Sequence, residues 1–450
     1  MKYILATAAI VATTFAQSNA PKCDENNLCP QSAPCCSQYG QCGVGAYCLG
    51  GCDPKSSFSL QSCMAAPVCK SGDFKMDSLD DVAANTVYLG DASKGINWVS
   101  SGKPVSYNGD SLLLTMAPST VGTLLTSTHY VWYGKISATM TSSQGQGVVS
   151  AFILMSDVKD EIDFEFVGDN VDSAQSNYYY QGITDYHNMV PLDTSDTRVN
   201  VHTYTIDWSE DSVIWSIDGK EMRTLKKSDT WNDTTKSYHF PQTPSRVQLS
   251  LWPAGLSSNG EGTIEWAGGL VNWDSSEYMQ NGYYYAMVND ISVECYDSPN
   301  GGSGNAYYYT SRAGTNDTVA MGNNNTVLSS FMATGDNPEA GKAKPSASQS
   351  GNSASASETK MPESVPGISG GGNAATSNVN PATGESGDSG STGGSGSSSG
   401  TTDSSSSGSG GSSFSQGGGS SGSGSSSDAP KIVAGSAVAL LGFFIAALML

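Results

Sequence analysis

The feature that most constrains this chain is a dense run of cysteines near its N-terminus, from Cys23 to Cys52. The chain has ten cysteines, and only Cys295 lies far from this region. A segment of about 30 residues is too short to bury a full hydrophobic core, so covalent links must hold its fold. Because the cytosol keeps thiols reduced, such a run indicates a disulfide-rich module in a secreted protein. The spacing alone leaves the pairing of the cysteines open.

The N-terminus carries the pattern of a targeting segment. Residues 1–16 combine an early lysine, an apolar stretch and small residues. This order predicts a secretory signal peptide, cleaved after Ala16 or, as the alternative, after Ala20. We therefore expect the mature chain to enter the secretory pathway.

The C-terminus carries a second targeting pattern. Residues 428–450 end in an apolar tail that follows small residues and a short polar spacer. This order predicts a GPI-attachment signal that is removed when the lipid is attached near Gly422 or Gly424. A tail-anchored helix is the alternative, which the secretory N-terminus disfavours. We expect the GPI lipid to hold the protein at the outer face of the plasma membrane.

Composition marks a stalk and excludes one class of partner. Residues 335–427 become rich in serine and glycine, so they bury too little apolar surface to offset the entropy of ordering. We expect a disordered stalk there.

The formal net charge of −21 leaves no basic surplus to neutralise phosphates, so nucleic acid is not an expected partner. Glycosylation sequons fit a secreted surface, and they begin at Asn232, Asn316 and Asn324.

The middle of the chain, residues 70–299, predicts β-structure. Short runs rich in Val, Ile, Thr, Tyr and Trp alternate with clusters of Gly, Asn and Asp, and no long segment has helical periodicity. Asp218-Gly219 is typical of a tight hairpin turn. We expect an all-β sandwich large enough for its own core.

One predicted strand carries three acids on one face. In the run Glu161-Ile-Asp163-Phe-Glu165-Phe, the acids alternate with apolar residues, so the acids share one face and the apolar residues face the core. Retaining glycosidases use two carboxyl groups about 5–5.5 Å apart. Because residues i and i+4 of a strand are about 13 Å apart, the spacing permits this geometry without proving it. A solvated strand face or a calcium site is the alternative.

A second run also alternates, with Val247, Leu249 and Leu251 as its apolar residues. Its polar face is made of Arg246, Gln248, Ser250 and Trp252. This pattern predicts a strand with one polar face that could line a cleft, and the alternative is that Trp252 is a core residue. We interpret five further aromatic residues as core or edge residues of the sandwich, with additional sugar subsites as the alternative: Tyr130, Trp132, Tyr178, Tyr179 and Tyr180.

The run from Cys23 to Cys52 resembles the hevein-like chitin-binding module, and we expect the module to span residues 23–69. The adjacent pair Cys35-Cys36, followed by Ser37, Cys42-Gly43 and Tyr47-Cys48, carries the resemblance. The resemblance implies the disulfides Cys23–Cys36, Cys29–Cys42 and Cys35–Cys48. It also implies that Ser37, Tyr39 and Tyr47 contact N-acetylglucosamine, through stacking and a hydroxyl bond to the acetamido group. Gln41 stands where many relatives have a third aromatic residue.

The hevein-like resemblance leaves four cysteines unpaired. For these we expect the disulfides Cys52–Cys63 and Cys69–Cys295, although the sequence does not decide between the possible pairings. A purely structural disulfide knot, without sugar binding, is the alternative reading of the module.

The acidic strand resembles the catalytic strand of glycoside hydrolase family sixteen. The resemblance implies a β-jelly-roll in which Glu161 is the nucleophile, Glu165 the acid/base and Asp163 an assisting residue. The block from Trp252 to Gly269 resembles the fungal Crh-type branch of that family. That likeness implies that Gln248, Trp252 and Thr263 line the sugar cleft, and we place Arg246 with them.

Together these resemblances imply a Crh-type cell-wall transglycosylase. Such an enzyme cleaves chitin and transfers the cut end to β-glucan or chitin. A hydrolytic chitinase or β-glucanase of the same fold is the alternative, followed by a non-catalytic chitin-binding wall protein. We expect a monomer in the cell wall without a cofactor. We also expect no metal, because the four histidines lack metal-ligand spacing.

Overall fold

The computed structural model describes residues 20–91, 95–276, 278–279 and 281–342. The expected signal peptide and GPI-attachment signal, including Gly422 and Gly424, lie outside the described residues, as does the expected stalk beyond residue 342. Within the described ranges, no helix has the length and apolar character needed to span a bilayer.

The described chain is built almost entirely from strands. In chain order they are β1 (Cys35–Cys36), β2 (Cys42–Gly43), β3 (Ala66–Pro67), β4 (Gly72–Lys75), β5 (Val82–Ala84), β6 (Trp98–Ser101), β7 (Val105–Tyr107), β8 (Ser111–Met116), β9 (Thr123–Val131), β10 (Gly134–Thr141), β11 (Val148–Ser156), β12 (Glu161–Val167), β13 (Ser173–Tyr179), β14 (Val190–Asp193), β15 (His202–Trp208), β16 (Ser212–Ile217), β17 (Lys220–Lys226), β18 (Trp231–Asn232), β19 (Ser237–Tyr238), β20 (Ser245–Pro253), β21 (Tyr284–Cys295), β22 (Ala306–Tyr309) and β23 (Val319–Gly322). Short 3-10 helices lie at Gly45–Cys48, Leu60–Ser62, Tyr186–Asn188, Lys227–Thr230 and Asn316–Thr318. The one α-helix among the described residues is α1 (Glu261–Trp266).

Two large sheets form a sandwich. Sheet A has the order β17-β16-β15-β10-β21-β8-β7, and β4 also pairs with β21. Sheet B has the order β14-β13-β12-β11-β20-β9-β6-β5, and its pairs are antiparallel except for β5 and β6. The non-consecutive order of neighbouring strands is the topology of a jelly roll. The predicted all-β jelly-roll sandwich is confirmed.

The hydrophobic core lies between the two sheets. Phe164 and Phe166 of β12 both contact Tyr204 of β15, with ring centroids 5.3 and 4.6 Å apart. These side chains are fully buried, as the alternation of β12 predicts. Each buried side chain of this size stabilises the fold by roughly 1.5–3 kcal/mol. The opposite face of β12 is therefore the one that carries the acids.

The N-terminal module is held by short disulfide loops. The structure contains the five disulfides that the sequence analysis expected, namely Cys23–Cys36, Cys29–Cys42, Cys35–Cys48, Cys52–Cys63 and Cys69–Cys295. The sulfurs of Cys23, Cys29 and Cys36 lie within 4.8 Å of one another. Because all three belong to disulfides, they offer no thiolate to a metal ion.

The chain after the sandwich returns to the N-terminal module. We call residues 300–342 the strap. Its strand β22 pairs with both β23 and β3, and its residues Leu328 and Ala333 pack with Tyr47 of the module. The ordered fold therefore extends beyond residue 299, where we expected the sandwich to end, and past residue 335, where we expected the stalk to begin. Contacts with β3 and with the apolar residues of the module account for the structure of this segment.

Candidate active site

The three acids of β12 lie on one face of sheet B. β12 pairs with β11 and β13, and neither register shifts between Glu161 and Glu165. The strand is therefore regular, without a bulge, so Glu161, Asp163 and Glu165 all project to the same side. Asp163 and Glu165 are buried, and Glu161 keeps partial exposure.

Neighbouring strands extend this face into three rows of side chains. Read from β20 through β11 and β12 to β13, the rows are Arg246, Met155, Glu161 and Tyr179; then Gln248, Ile153, Asp163 and Asn177; then Ser250, Ala151, Glu165 and Gln175. Two strand spacings, about 10 Å, separate β20 from β12. The polar residues of both strands thus border one apolar floor, which is made of Ala151, Ile153 and Met155.

Several polar atoms on this face are buried without a hydrogen-bond partner among the described residues. They are both carboxyl oxygens of Asp163, Oε1 of Glu165, the amide nitrogen of Gln248 and Oγ of Ser250. Buried polar groups in folded proteins are nearly always hydrogen-bonded, and exceptions concentrate where a ligand supplies the partner. The cluster indicates a binding site for a ligand with many hydroxyl groups.

Burial and mutual repulsion raise the pKa of all three acids. Burial, followed by the charge of Asp163, raises the pKa of Glu161 well above its ordinary value. Burial and the charges of Asp163 and Glu161 do the same to the pKa of Glu165. Burial raises the pKa of Asp163 to about 8, and the nearby charge of Arg223 opposes this effect. The face therefore holds protons at neutral pH, so one acid can donate a proton while another is ionised.

Two tryptophans close one end of the face. Trp252 of β20 stacks on Trp266 of α1, with ring centroids 6.3 Å apart and planes inclined by 28°. The indole nitrogen of Trp266 donates to Oε1 of Gln175 at 2.8 Å. Thr263, which we expected in the cleft, is buried on the same helix. Trp252 and α1 thus lie next to the row of Glu165.

The geometry agrees with comparisons to known proteins. The sequence pattern described as "Glycosyl hydrolases family 16" matches residues 92–268. "Crh-like protein 3" of Botryotinia fuckeliana is 53% identical over 342 residues, which are 75% of this chain and 76% of that protein. The chain belongs to glycosyl hydrolase family 16, with the Crh-like proteins.

Other Crh-like proteins give the same relationship. "Crh-like protein UTR2" of Candida albicans is 46% identical over 348 residues, which are 74% of each chain. Among solved structures, one described as "Crh5 transglycosylase in complex with NAG" has a TM-score of 0.47 and 28% identity, covering 57% of this chain and 95% of that one. The resemblance that we drew from β12 and the block after Trp252 is confirmed at the level of the family.

The family 16 face includes Asn177 and Gln175 of β13, which the sequence reasoning missed, and Tyr179, which it interpreted as a core or edge residue. Tyr179 pairs with Glu161, and Asn177 pairs with Asp163. The Asn177 side chain donates to the Tyr179 hydroxyl at 2.6 Å, and burial with the nearby acids raises the pKa of that phenol. Tyr179 is therefore a neutral donor beside Glu161, whereas Tyr178 packs in the core. The alternating polar residues Gln175, Asn177 and Tyr179 were the signal in the sequence.

Asp160 positions the start of the family 16 strand. Its buried carboxylate accepts hydrogen bonds from the backbone of Gln181, Gln242 and Thr243 and from the Thr243 hydroxyl, at 2.6 to 3.1 Å. Burial raises its pKa to about 6 despite these bonds. Asp160, which directly precedes β12, thereby connects the start of that strand to the loop before β20.

Arg246 lies in the Glu161 row, but its guanidinium contacts the N-terminal module. It lies 3.4 Å from Oε1 of Gln38 and 5.8 Å from the centroid of the Tyr130 ring. A side chain at Gly50 or Gly51 would collide with it. The module covers this end of sheet B, so Arg246 borders the module as well as the family 16 cleft.

The residues expected to bind sugar in the module are largely covered. Ser37 is 3% exposed, Tyr47 is 7% exposed and Tyr39 is half-buried. The Tyr47 ring lies directly over Gly43 and packs against the strap, which removes most of its surface from solvent. Tyr47 therefore has little surface left for stacking on a sugar, because the module is docked on the sandwich and strap.

The same three residues line a narrow cleft of about 40 Å³ that faces sheet B. We call it the module cleft. On the other side it is lined by Asn85, Val99, Ser101, Leu124, Thr126 and Arg246.

The sequon residues Asn232, Asn316 and Asn324 are each partly exposed, and their glycosylation stays a prediction.

Proposed function

We propose that this protein is a retaining transglycosylase of the fungal cell wall, which cleaves chitin and transfers the new end to β-glucan or to chitin. The observation that carries the proposal is that Glu161, Asp163 and Glu165 share one face of β12, where oxygens of Asp163 and Glu165 are buried without a partner among the described residues. The Crh-like relatives, and the word "transglycosylase" in the name of the Crh5 structure, support the direction of the chemistry.

The reaction would proceed in two displacements. The carboxylate of Glu161 attacks the anomeric carbon and forms a covalent glycosyl-enzyme, while the carboxyl group of Glu165 donates its proton to the departing glycosidic oxygen. Glu165, now ionised, then takes the proton of an acceptor hydroxyl as that oxygen attacks the anomeric carbon and releases Glu161. Transfer results when the acceptor is a sugar, and hydrolysis results when it is water.

The neighbours of the pair favour this division of roles. Burial, together with the charges of Asp163 and Glu161, raises the pKa of Glu165 and favours the protonated form that a general acid requires. Tyr179 offers a hydroxyl beside Glu161, where the nucleophile must be ionised. Gln248 and Ser250 offer an amide and a hydroxyl to the sugar from β20. Asp163 would assist by adjusting both proton affinities.

The location of the enzyme forms part of the proposal. A signal peptide at residues 1–16 and a GPI lipid near Gly422 or Gly424 would hold it at the outer face of the membrane, within the wall. The stalk would begin after residue 342. An anchored enzyme meets both polymers at high local concentration, which favours transfer over hydrolysis. It would act as a monomer, with chitin and β-glucan as its partners.

The test is to incubate the secreted protein, truncated after residue 342, with chitin oligomers and a fluorescent β-glucan oligosaccharide. Mass spectrometry should detect fluorescent hybrid oligomers, and Glu161→Gln should abolish them because the nucleophile is lost. Shortened chitin oligomers, with neither fluorescent hybrids nor lengthened chitin oligomers, would favour the hydrolase instead. Binding without any turnover would favour a non-catalytic wall protein.

A further inference from the structure

We propose that the N-terminal module and sheet B form one composite carbohydrate cleft, in which the module holds a stretch of the same chitin chain that β12 cleaves. The proposal rests on the proposed function, and it differs from an independent chitin-binding module that only tethers the enzyme to the wall. It predicts that one polymer chain runs from the module cleft to Glu161 and Glu165.

The module is fixed to the sandwich and strap by polar contacts. The guanidinium of Arg312 in the strap donates to the carbonyl oxygens of residues 54, 55, 57 and 58 at 2.6 to 3.0 Å. The backbone NH of Gly51 donates to the Tyr130 hydroxyl and to the Asp157 carboxylate of sheet B, at 3.2 and 2.8 Å. Because these contacts fix the orientation of the module, Ser37 and Tyr39 keep a constant position relative to β12.

The module cleft opens onto the same face of sheet B as the acids. Its sheet wall includes Leu124 and Thr126 of β9. Thr126 pairs with Gln248 and so continues the row of Asp163, and Leu124 pairs with Ser250 and so continues the row of Glu165. Three strand spacings, about 14 Å, separate β9 from β12. A few linked pyranose units cover that distance.

β20 joins the module cleft to the acids with polar atoms that have no partner. Three successive residues on its cleft face each bury one such atom within the described structure: Nε of Arg246, the amide nitrogen of Gln248 and Oγ of Ser250. The strand lies between β9, which borders the module cleft, and β11, which borders β12. A row of unpaired donors at this place fits the hydroxyl and acetamido groups of a bound sugar chain.

The chemistry of the module wall favours N-acetylglucosamine over unsubstituted glucose. Among the described residues, the Ser37 hydroxyl accepts one hydrogen bond, from the backbone NH of Gln41 at 3.3 Å, so its own proton can be donated to an acetamido oxygen. Tyr39 is half-buried at the same cleft and presents an aromatic face to the apolar side of a pyranose ring. We therefore assign this end of the cleft to the chitin chain.

The first test follows turnover of chitin oligomers of increasing length. In the unaltered protein, kcat/KM should rise until the oligomer is long enough to reach Tyr39 from Glu161. Tyr39→Ala should lower kcat/KM about tenfold for the long oligomers and leave it unchanged for the short ones, because only the long ones reach the module. Tyr107→Ala, which removes an exposed tyrosine from β7 of sheet A, is the matched control and should behave as the unaltered protein.

Two results would overturn the composite cleft. One is that Tyr39→Ala matches Tyr107→Ala at every oligomer length. The other is that Tyr39→Ala raises the turnover of long oligomers, since the module would then obstruct the cleft instead of lining it.

The second test separates the composite cleft from the proposed function, because it needs no turnover. Calorimetric titration of Glu161→Gln with a long chitin oligomer should give one bound chain per protein, and adding Tyr39→Ala should weaken its affinity about tenfold. Two long oligomers bound to one protein without competing would show two separate sites and overturn the inference. If the unaltered protein turned over no oligomer at all, the proposed function would fail, and this stoichiometry would still decide the inference.

Discussion

At the scale of single residues, the site is governed by acids that crowd one buried face. Asp163 lies between Glu161 and Glu165 on the same side of β12, and its carboxyl oxygens have no partner within the described part of the chain. Three ionised carboxylates cannot coexist there without strong repulsion. The fold resolves this by keeping protons on the face at neutral pH, and that stored proton is what a general acid donates.

A pH profile tests the effect of Asp163 on Glu165. Above about pH 8 Asp163 is ionised, and its charge raises the pKa of Glu165. Asp163→Asn removes that charge with little change of shape, so Glu165 should lose its proton at lower pH. We expect the alkaline limb of the kcat/KM profile to move to lower pH, while Asp211→Asn, an exposed control, leaves it in place. An unchanged limb, or a move to higher pH, would contradict this account.

At the scale of elements, what could be predicted depended on whether the pattern lies within one strand. The alternation of Glu161, Asp163 and Glu165 is local, so the sequence alone was enough to place them on one face. The contribution of Tyr179 depends on which strand pairs with β12, and the burial of Tyr47 depends on contacts with the strap. Such pairings join residues that are distant in the sequence, and no local periodicity records them.

Arg312 holds the module through hydrogen bonds to its backbone carbonyls. Arg312→Ala removes four charge-assisted hydrogen bonds to module carbonyls, and we expect the free energy of unfolding to fall by on the order of 3 kcal/mol. Trypsin should also cleave faster after Lys55, whose side chain is only 10% exposed in the docked module. Denaturant unfolding and a digestion time course measure the two effects.

Matched variants make the Arg312 result interpretable. Arg312→Lys keeps the charge but loses the planar fork, so it should fall between the unaltered protein and Arg312→Ala. Lys135→Ala, at an exposed position of β10, should change neither measurement. Equal stability of all four proteins would mean that the strap does not hold the module through Arg312.

At the scale of the whole molecule, long-range links close the fold. The disulfide Cys69–Cys295 joins the end of the module to the last residue of β21, across 226 residues. Sequence reasoning assigned this pair without a pattern to support it. The sandwich brings the two cysteines together because β4, which follows Cys69, pairs with β21.

Removal of this disulfide should be among the more destabilising changes outside the core. Loop-closure entropy predicts that Cys69→Ala with Cys295→Ala lowers the free energy of unfolding by about 5 kcal/mol. The matched double variant Cys52→Ala with Cys63→Ala opens a loop of 11 residues and should cost about 3 kcal/mol by the same reasoning. Urea unfolding checks the order of the two effects, and a reversed order would show that native packing outweighs loop entropy.

The strap also determines when the N-terminal module can finish folding. The module leaves the ribosome first, but Arg312 follows Ser57 by 255 residues, and Leu328 and Ala333 are made later still. Until then Tyr47 lacks its apolar cover, however early the neighbouring cysteines are oxidised. The N-terminal module therefore cannot reach its final packing until the strap has been synthesised.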